Sequence, residues 1–323
     1  MTSEPFFAVD CLNTWFHTRA GVVKSVRDVS FDLRKGEVLG IVGESGSGKS
    51  VTGMSIMGQV DDPGRIESGS IRLNGEELTR LSFEEMRHYR GRRIAMIFQN
   101  PLMTLDPLLR IREQMFEAIS SHERVPRREM ERRCIEALKA VGIPSPQERL
   151  DAYPHEFSGG MRQRIVIAIA LLMEPELIIA DEPTTALDVT IQAQIIYEMR
   201  RQIDARGLGM IWISHDLATL SELADRIMVM YAGAVMEIGT TTEIIGSARH
   251  PYTRKLLESV PSRNAPGTML KQIAGTMPSI LSLGPGCPFA GRCDRATDAC
   301  KVLVPVAETS PTHRIWCVHP HEE

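Results

Sequence analysis

The chain has 323 residues, 43% of them hydrophobic and 24% charged, with a formal net charge of −4; this is an ordinary globular composition with room for two domains. The charge gives no reason to expect nucleic acid as the main partner, since the densest basic run, 124–133, is interleaved with Glu129 and Glu131 as a solvated helix face is. The longest apolar run, 165–173, is nine residues, far below the roughly 20 that a membrane helix requires.

Met1-Thr2-Ser3-Glu4-Pro5 carries neither a basic region nor an apolar core, so no export signal and a cytosolic address are expected. Residues 6–34 alternate short apolar runs with polar residues and read as strands of an antiparallel edge layer. Within them stands the aromatic pair Trp15-Phe16; an aromatic here can stack on a base or simply pack in the layer.

Val38-Leu39-Gly40-Ile41-Val42 reads as a buried strand and 50–58 as a helix, with Gly43-Glu44-Ser45-Gly46-Ser47-Gly48-Lys49-Ser50 between them. This is the G-x-x-x-x-G-K-[ST] phosphate-loop pattern in its strand-to-helix setting. Glycines let backbone N–H groups close around phosphate oxygens, Lys49 reaches the β- and γ-phosphates, and Ser50 offers its hydroxyl to Mg²⁺. The helix N-terminus adds partial positive charge.

Residues 70–75 read as a strand and turn, and 93–99 as a second strand ending in Gln99. Asn100-Pro101 stops that strand, leaving the amide where open parallel sheets meet their ligands. From about 100 to 160 the pattern is helical; Ile135, Leu138 and Val141 fall at helical spacing and Gly142 ends the segment.

Phe157-Ser158-Gly159-Gly160-Met161 opens a further helix running to about 173. Serine and two glycines at a helix start make an N-cap and an anion-binding end. Leu177-Ile178-Ile179-Ala180-Asp181-Glu182 is an apolar strand with two carboxylates at its tip. Asp181 can hold Mg²⁺ and Glu182 can polarise an attacking water. Strand alternation is expected to point the two side chains apart. Pro183-Thr184-Thr185-Ala186-Leu187-Asp188 follows, then a helix over about 190–206. Met210-Ile211-Trp212-Ile213-Ser214 forms another buried strand ending at His215, which can bond a γ-phosphate or the water. Residues 226–238 read as a hairpin turning at Ala232-Gly233.

The tail from 246 holds nine of the 19 prolines and reads as a loop-rich appendage. Cys11 and Cys134 stand alone, whereas Cys287, Cys293, Cys300 and Cys317 crowd it in the pattern C-x5-C-x6-C-x16-C. In a reducing compartment such a cluster binds metal more often than it forms disulfides. Four thiolates suit tetrahedral zinc or an iron–sulfur cluster, the paired C-x2-C steps of many zinc sites are missing, and His313 and His319 stand as substitute ligands.

Residues 6–245 resemble an ATP-binding cassette, the motor subunit of ABC transporters. The phosphate loop 43–50, Gln99, Ser158-Gly159-Gly160, Asp181-Glu182 with Asp188, and His215 occur in that family's order. Met161 departs from the glutamine most common there. The resemblance implies an α/β fold: a RecA-like phosphate-loop NTPase core (1–245) with an antiparallel β layer and a helical subdomain at about 100–160, followed by a cysteine-containing extension (246–323). It also implies adenine stacking on Phe16, ATP contacts from Gly43, Glu44, Ser45, Gly46, Ser47, Gly48, Lys49, Ser50 and Asp188, and Mg²⁺ on Ser50, Gln99 and Asp181. Glu182, His215 and Gln99 carry the hydrolysis. Two cassettes pack head to tail, so that Ser158, Gly159 and Gly160 of one cap the ATP of the other.

His250-Pro251-Tyr252-Thr253, Leu256-Leu257 and the terminal cysteines are similar to importer subunits for dipeptides and oligopeptides, with nickel and other small solutes carried by close relatives. That branch implies a [4Fe–4S] cluster on the four cysteines, with zinc as the alternative. It further implies a related second cassette, two transmembrane permease subunits, an external solute-binding protein, and a peripheral place on the cytoplasmic face of the inner membrane. A soluble cassette acting on DNA or ribosomes predicts fused cassettes, a coiled coil or a basic face, and a phosphate-loop kinase has no use for Ser158-Gly159-Gly160.

Overall fold

The computed structural model describes residues 5–185, 187–260, 264, 272–302, 304 and 306–322, with residues 102 and 103 described by backbone alone. Ala186, in the run expected over 183–188, and parts of the expected 246–323 extension lie outside the described residues. The chain separates into two compact units. One comprises 1–34, 38–80 and 212–323, and the other 35–37 and 81–211.

The first unit carries the edge layer and the phosphate loop. Phe7–Thr18 pairs antiparallel with both Gly21–Leu33 and Gly64–Leu73, and Glu76–Glu77 completes a four-stranded sheet. These strands are 12, 13 and 10 residues long, well beyond the short runs legible in the sequence. Register shifts after Val9 and again around Thr14 explain the difference, because each bulge resets which face a side chain takes and breaks the period-2 pattern.

A second sheet in this unit runs in the order Val306–Glu308, Arg314–Trp316, Ala234–Thr240, Arg226–Tyr231 and Val38–Val42, then the tip of Gly209–Ser214. All five residues of Val38–Val42 are buried, as its unbroken apolar sequence requires. It lies parallel to Arg226–Tyr231 with Ile41 opposite Met228. The expected hairpin forms at Ala232-Gly233, and the extension adds a strand to it by pairing Glu237 with Ile315.

In the second unit, Ile94–Ile97 lies parallel to Leu177–Asp181, and every residue of both strands is buried. Helices Ile111–Ser120 and Arg127–Ala140 lie in the stretch expected to be helical, and Gly159–Leu171 is the further helix expected to run to about 173. Helix Val189–Arg206 starts on Asp188 and ends on Gly207 at a φ of 64°, the left-handed conformation that glycine adopts without a Cβ clash.

Candidate functional site

The phosphate loop follows Val38–Val42 and feeds helix Lys49–Ile56. Gly48, its N-cap, has φ 98°, and a Cβ there would stand 2.3 Å from the Ser25 carbonyl oxygen. At Gly43 a Cβ would meet the Met230 carbonyl oxygen at 2.1 Å. Both positions are closed to any other residue. Lys49 is buried, and its Nζ donates to the carbonyls of Gly43 (2.8 Å) and Glu44 (3.1 Å), so the ammonium stands inside the loop's curl. Ser47 Oγ is buried without a hydrogen-bond partner among the described residues. A buried hydroxyl left unmatched beside an ammonium and a helix N-terminus suits a polyphosphate, which would satisfy all three.

Phe16 lies in the edge layer of the same unit, its ring 2.5 Å from where a Cβ on Gly64 would stand. His215 is exposed just past Gly209–Ser214, and Asp216 caps the following helix by accepting from the N–H groups of Ala218 and Thr219.

The other expected residues fall in the second unit. Asp181 is the last residue of its strand and is buried. Glu182 lies beyond the strand at φ 46°, so a left-handed turn re-aims its carboxylate, and the strand alternation expected from sequence is not the reason. Gln99 Nε2 and Thr185 Oγ1 each donate to Glu182 Oε2 at 3.0 Å. The family resemblance put Gln99 and Glu182 in one site, whereas nothing in the sequence marked Thr185, three residues on. Ser158 accepts from Met161 N (3.3 Å) as the N-cap of Gly159–Leu171. Ser158 and Gly159 are exposed, while a Cβ on Gly160 would strike Ile191 at 2.8 Å. Asp188 Oδ1 accepts from Ile191 N at 2.9 Å, so its carboxylate caps a helix.

Cys287, Cys293, Cys300 and Cys317 line one small cavity together with His250 and His319. Burial pushes the Cys287 and Cys317 thiols up to about 11. Among the described residues no three His, Cys, Asp or Glu side chains stand in a metal-holding arrangement. Cysteine sulfur is the donor type that a thiophilic group takes. His319 faces the cavity with Nε2 2.8 Å from Thr297 Oγ1, whereas His313 is no substitute ligand: its Nε2 bonds the buried Glu237 at 2.7 Å.

The extension also reaches the phosphate loop. Tyr252 OH accepts from Glu44 N at 3.0 Å, and Arg292 Nη1 donates to both Glu44 carboxylate oxygens at 3.1 and 2.8 Å. Sequence reading gave neither contact, because Arg292 and Glu44 are 248 residues apart and nothing in a proline-rich tail marks an arginine for a distant acid.

Residues 26–185 match the ABC transporter family and residues 236–300 the oligopeptide/dipeptide transporter C-terminal region. The chain is 47% identical over 317 residues to the dipeptide transport ATP-binding protein DppD of Bacillus subtilis, covering 97% of this chain and 94% of that protein. It is 44% identical over 324 residues to the oligopeptide transport ATP-binding protein OppD of Escherichia coli, covering 99% and 95%. Among solved structures, a dimeric ATP-binding cassette in a post-hydrolysis state with ADP and Pi shares the fold. It superposes with a TM-score of 0.66 at 24% identity, over 73% of this chain and 98% of that one. A cassette of the cbiONQ complex of Clostridium perfringens gives a TM-score of 0.65 at 25% identity, over 75% and 91%.

Proposed function

The chain belongs to the ATP-binding subunits of the oligopeptide and dipeptide branch of ABC transporters, and from that membership we propose how its residues divide the work of an ATP-hydrolysing import motor. The solute class is peptide, and uptake runs through membrane permease subunits. The observation that carries the ATP reading is the phosphate loop itself, closed to any Cβ at Gly43 and Gly48, with Lys49 inside it and the Ser47 hydroxyl unmatched.

In this reading the curl of the loop takes the phosphates while the Glu44 N–H stays on Tyr252 OH, Lys49 leaves its two carbonyls for the β- and γ-oxygens, and Phe16 stacks on adenine. Ser50, Gln99 and Asp181 would hold Mg²⁺, which neutralises charge developing on the transferred phosphoryl group. Glu182 accepts the proton of the attacking water, while Gln99 and His215 orient that water. Asp188 caps its helix beside the catalytic strand. The Ser158-Gly159-Gly160 end, exposed at Ser158 and Gly159, covers the nucleotide of a second, related cassette. A pair of permease subunits and an external solute-binding protein complete the importer, which places this subunit peripherally at the cytoplasmic membrane face. No helix among the described residues is long and apolar enough to cross a bilayer.

The four-cysteine cavity is read as the seat of a structural [4Fe–4S] cluster, with zinc the alternative, on the strength of four thiols converging from a 31-residue span. Iron and sulfide analysis tests it.

The motor assignment is tested with the subunit assembled with its permeases in vesicles. ATP-driven uptake of a labelled dipeptide is expected for the natural chain and not for Lys49→Ala, whose ATP affinity falls. Unchanged ATP affinity in Lys49→Ala removes the loop from nucleotide binding.

A further inference from the structure

Glu44 places a negative charge in a loop that takes a polyphosphate, and the extension deals with that charge. Its carboxylate is bidentate on Arg292 Nη1, its N–H is tied to Tyr252 OH, and its carbonyl accepts from Lys49 Nζ and from Ser47 N at 3.1 Å. The Arg292 side chain is only 8% exposed. Its other nitrogens are fixed as well, Nε on the Ala274 carbonyl at 2.8 Å and Nη2 on the Ile273 carbonyl at 3.0 Å. A guanidinium held on every nitrogen is a rigid partner, unlike a surface ion pair free to rearrange. Tyr252 is equally fixed: its ring is fully buried, 4.7 Å from Tyr231 and 5.2 Å from Phe289 between centroids.

Two consequences for ATP follow from elementary electrostatics and entropy. An unneutralised Glu44 repels the incoming phosphates, and Arg292 cancels that repulsion. A loop with three glycines in six residues is costly to order, and fixing Glu44 at both its N–H and its carboxylate removes part of that cost before ligand arrives. Resting on the reading of the loop as an ATP site, we propose that Tyr252 and Arg292 of the extension are positioning residues for ATP binding, acting through Glu44.

The test is equilibrium binding of the magnesium complex of the non-hydrolysable analogue AMP-PNP to the full chain, with melting temperature recorded for each variant. Tyr252→Phe, which removes one oxygen and keeps the ring packing, and Arg292→Ala are each expected to weaken binding about three- to tenfold. Arg292→Lys recovers part of the loss because it keeps the charge. In a Glu44→Gln background Arg292→Ala costs little further, because residues acting as a unit are not additive. Folded Tyr252→Phe and Arg292→Ala proteins with unchanged affinity overturn the proposal, as does an Arg292→Ala loss of the same size with or without Glu44. Lys49→Ala runs alongside. Weakened binding there with none in the other two removes the positioning role alone, while unchanged binding in all three removes the ATP site with it. If Arg292→Ala does not fold, Tyr252→Phe decides the matter.

Discussion

Glu182 holds a left-handed backbone at φ 46°, which costs a residue with a Cβ about 1–2 kcal/mol. Such strain persists where the surroundings enforce it, and here Gln99 and Thr185 both donate to one carboxylate oxygen. The turn carries the carboxylate away from the line of the strand, where Asp181 ends it. Glu182→Gln keeps an acceptor for both donors but cannot take a proton from water. Nucleotide affinity is therefore expected to stay within about twofold while steady-state hydrolysis falls by roughly 100-fold or more. Normal turnover in that variant, measured as phosphate release, removes Glu182 as the base. The identity of this residue was plain in the sequence, since an apolar strand running into two acids is a local pattern. Its geometry was not, because strand alternation and a left-handed turn predict the same two letters.

At the scale of elements, the helix Pro251–Glu258 that carries Tyr252 is seated by a buried carboxylate. Glu237, fully buried in Ala234–Thr240, accepts from the N–H groups of Arg249 (2.8 Å) and His250 (3.1 Å) and from His313. Burial alone pushes its carboxyl upward, but the His313 and backbone hydrogen bonds outweigh it and hold the group below its ordinary 4.5. A carboxylate whose folded value is depressed contributes stability above the unfolded value, and that contribution is lost as pH falls from about 4.5 through the lower folded value. The melting temperature of the natural chain is thus expected to drop below pH 4.5. Glu237→Gln should cost about 2 kcal/mol of stability at neutral pH, lowering the melting temperature there, and flatten the acid limb. Parallel acid limbs for the two proteins contradict this. Sequence pattern gave the strands and helices around this point because each is a local run, as with Val38–Val42 and Arg127–Ala140. It could not give Glu237 as a core acid, because alternation marks a charged residue as outward-facing until its partners from residues 249, 250 and 313 are known.

Over the whole molecule, the cassette half was legible because its chemistry sits in short contiguous motifs, whereas the extension was legible only in composition. Its four cysteines come to one cavity through turns and 3₁₀ segments such as Ala290–Arg292 and Asp298–Lys301, which no periodicity announces. Arg292 directly precedes Cys293, so whatever orders the cavity also orders the residue that neutralises Glu44. A group bound only by the folded chain stabilises it by mass action. On the proposal that the cavity seats a [4Fe–4S] cluster, anaerobically purified protein is expected to be coloured and to carry iron and acid-labile sulfide in about equal amounts. Replacing Cys287 and Cys317 with serine should abolish both and lower the melting temperature, without removing nucleotide binding by the loop. Colourless, iron-free protein containing one zinc identifies the alternative occupant, and protein with neither metal, whose stability is indifferent to the serine replacements, leaves the cavity as packing alone.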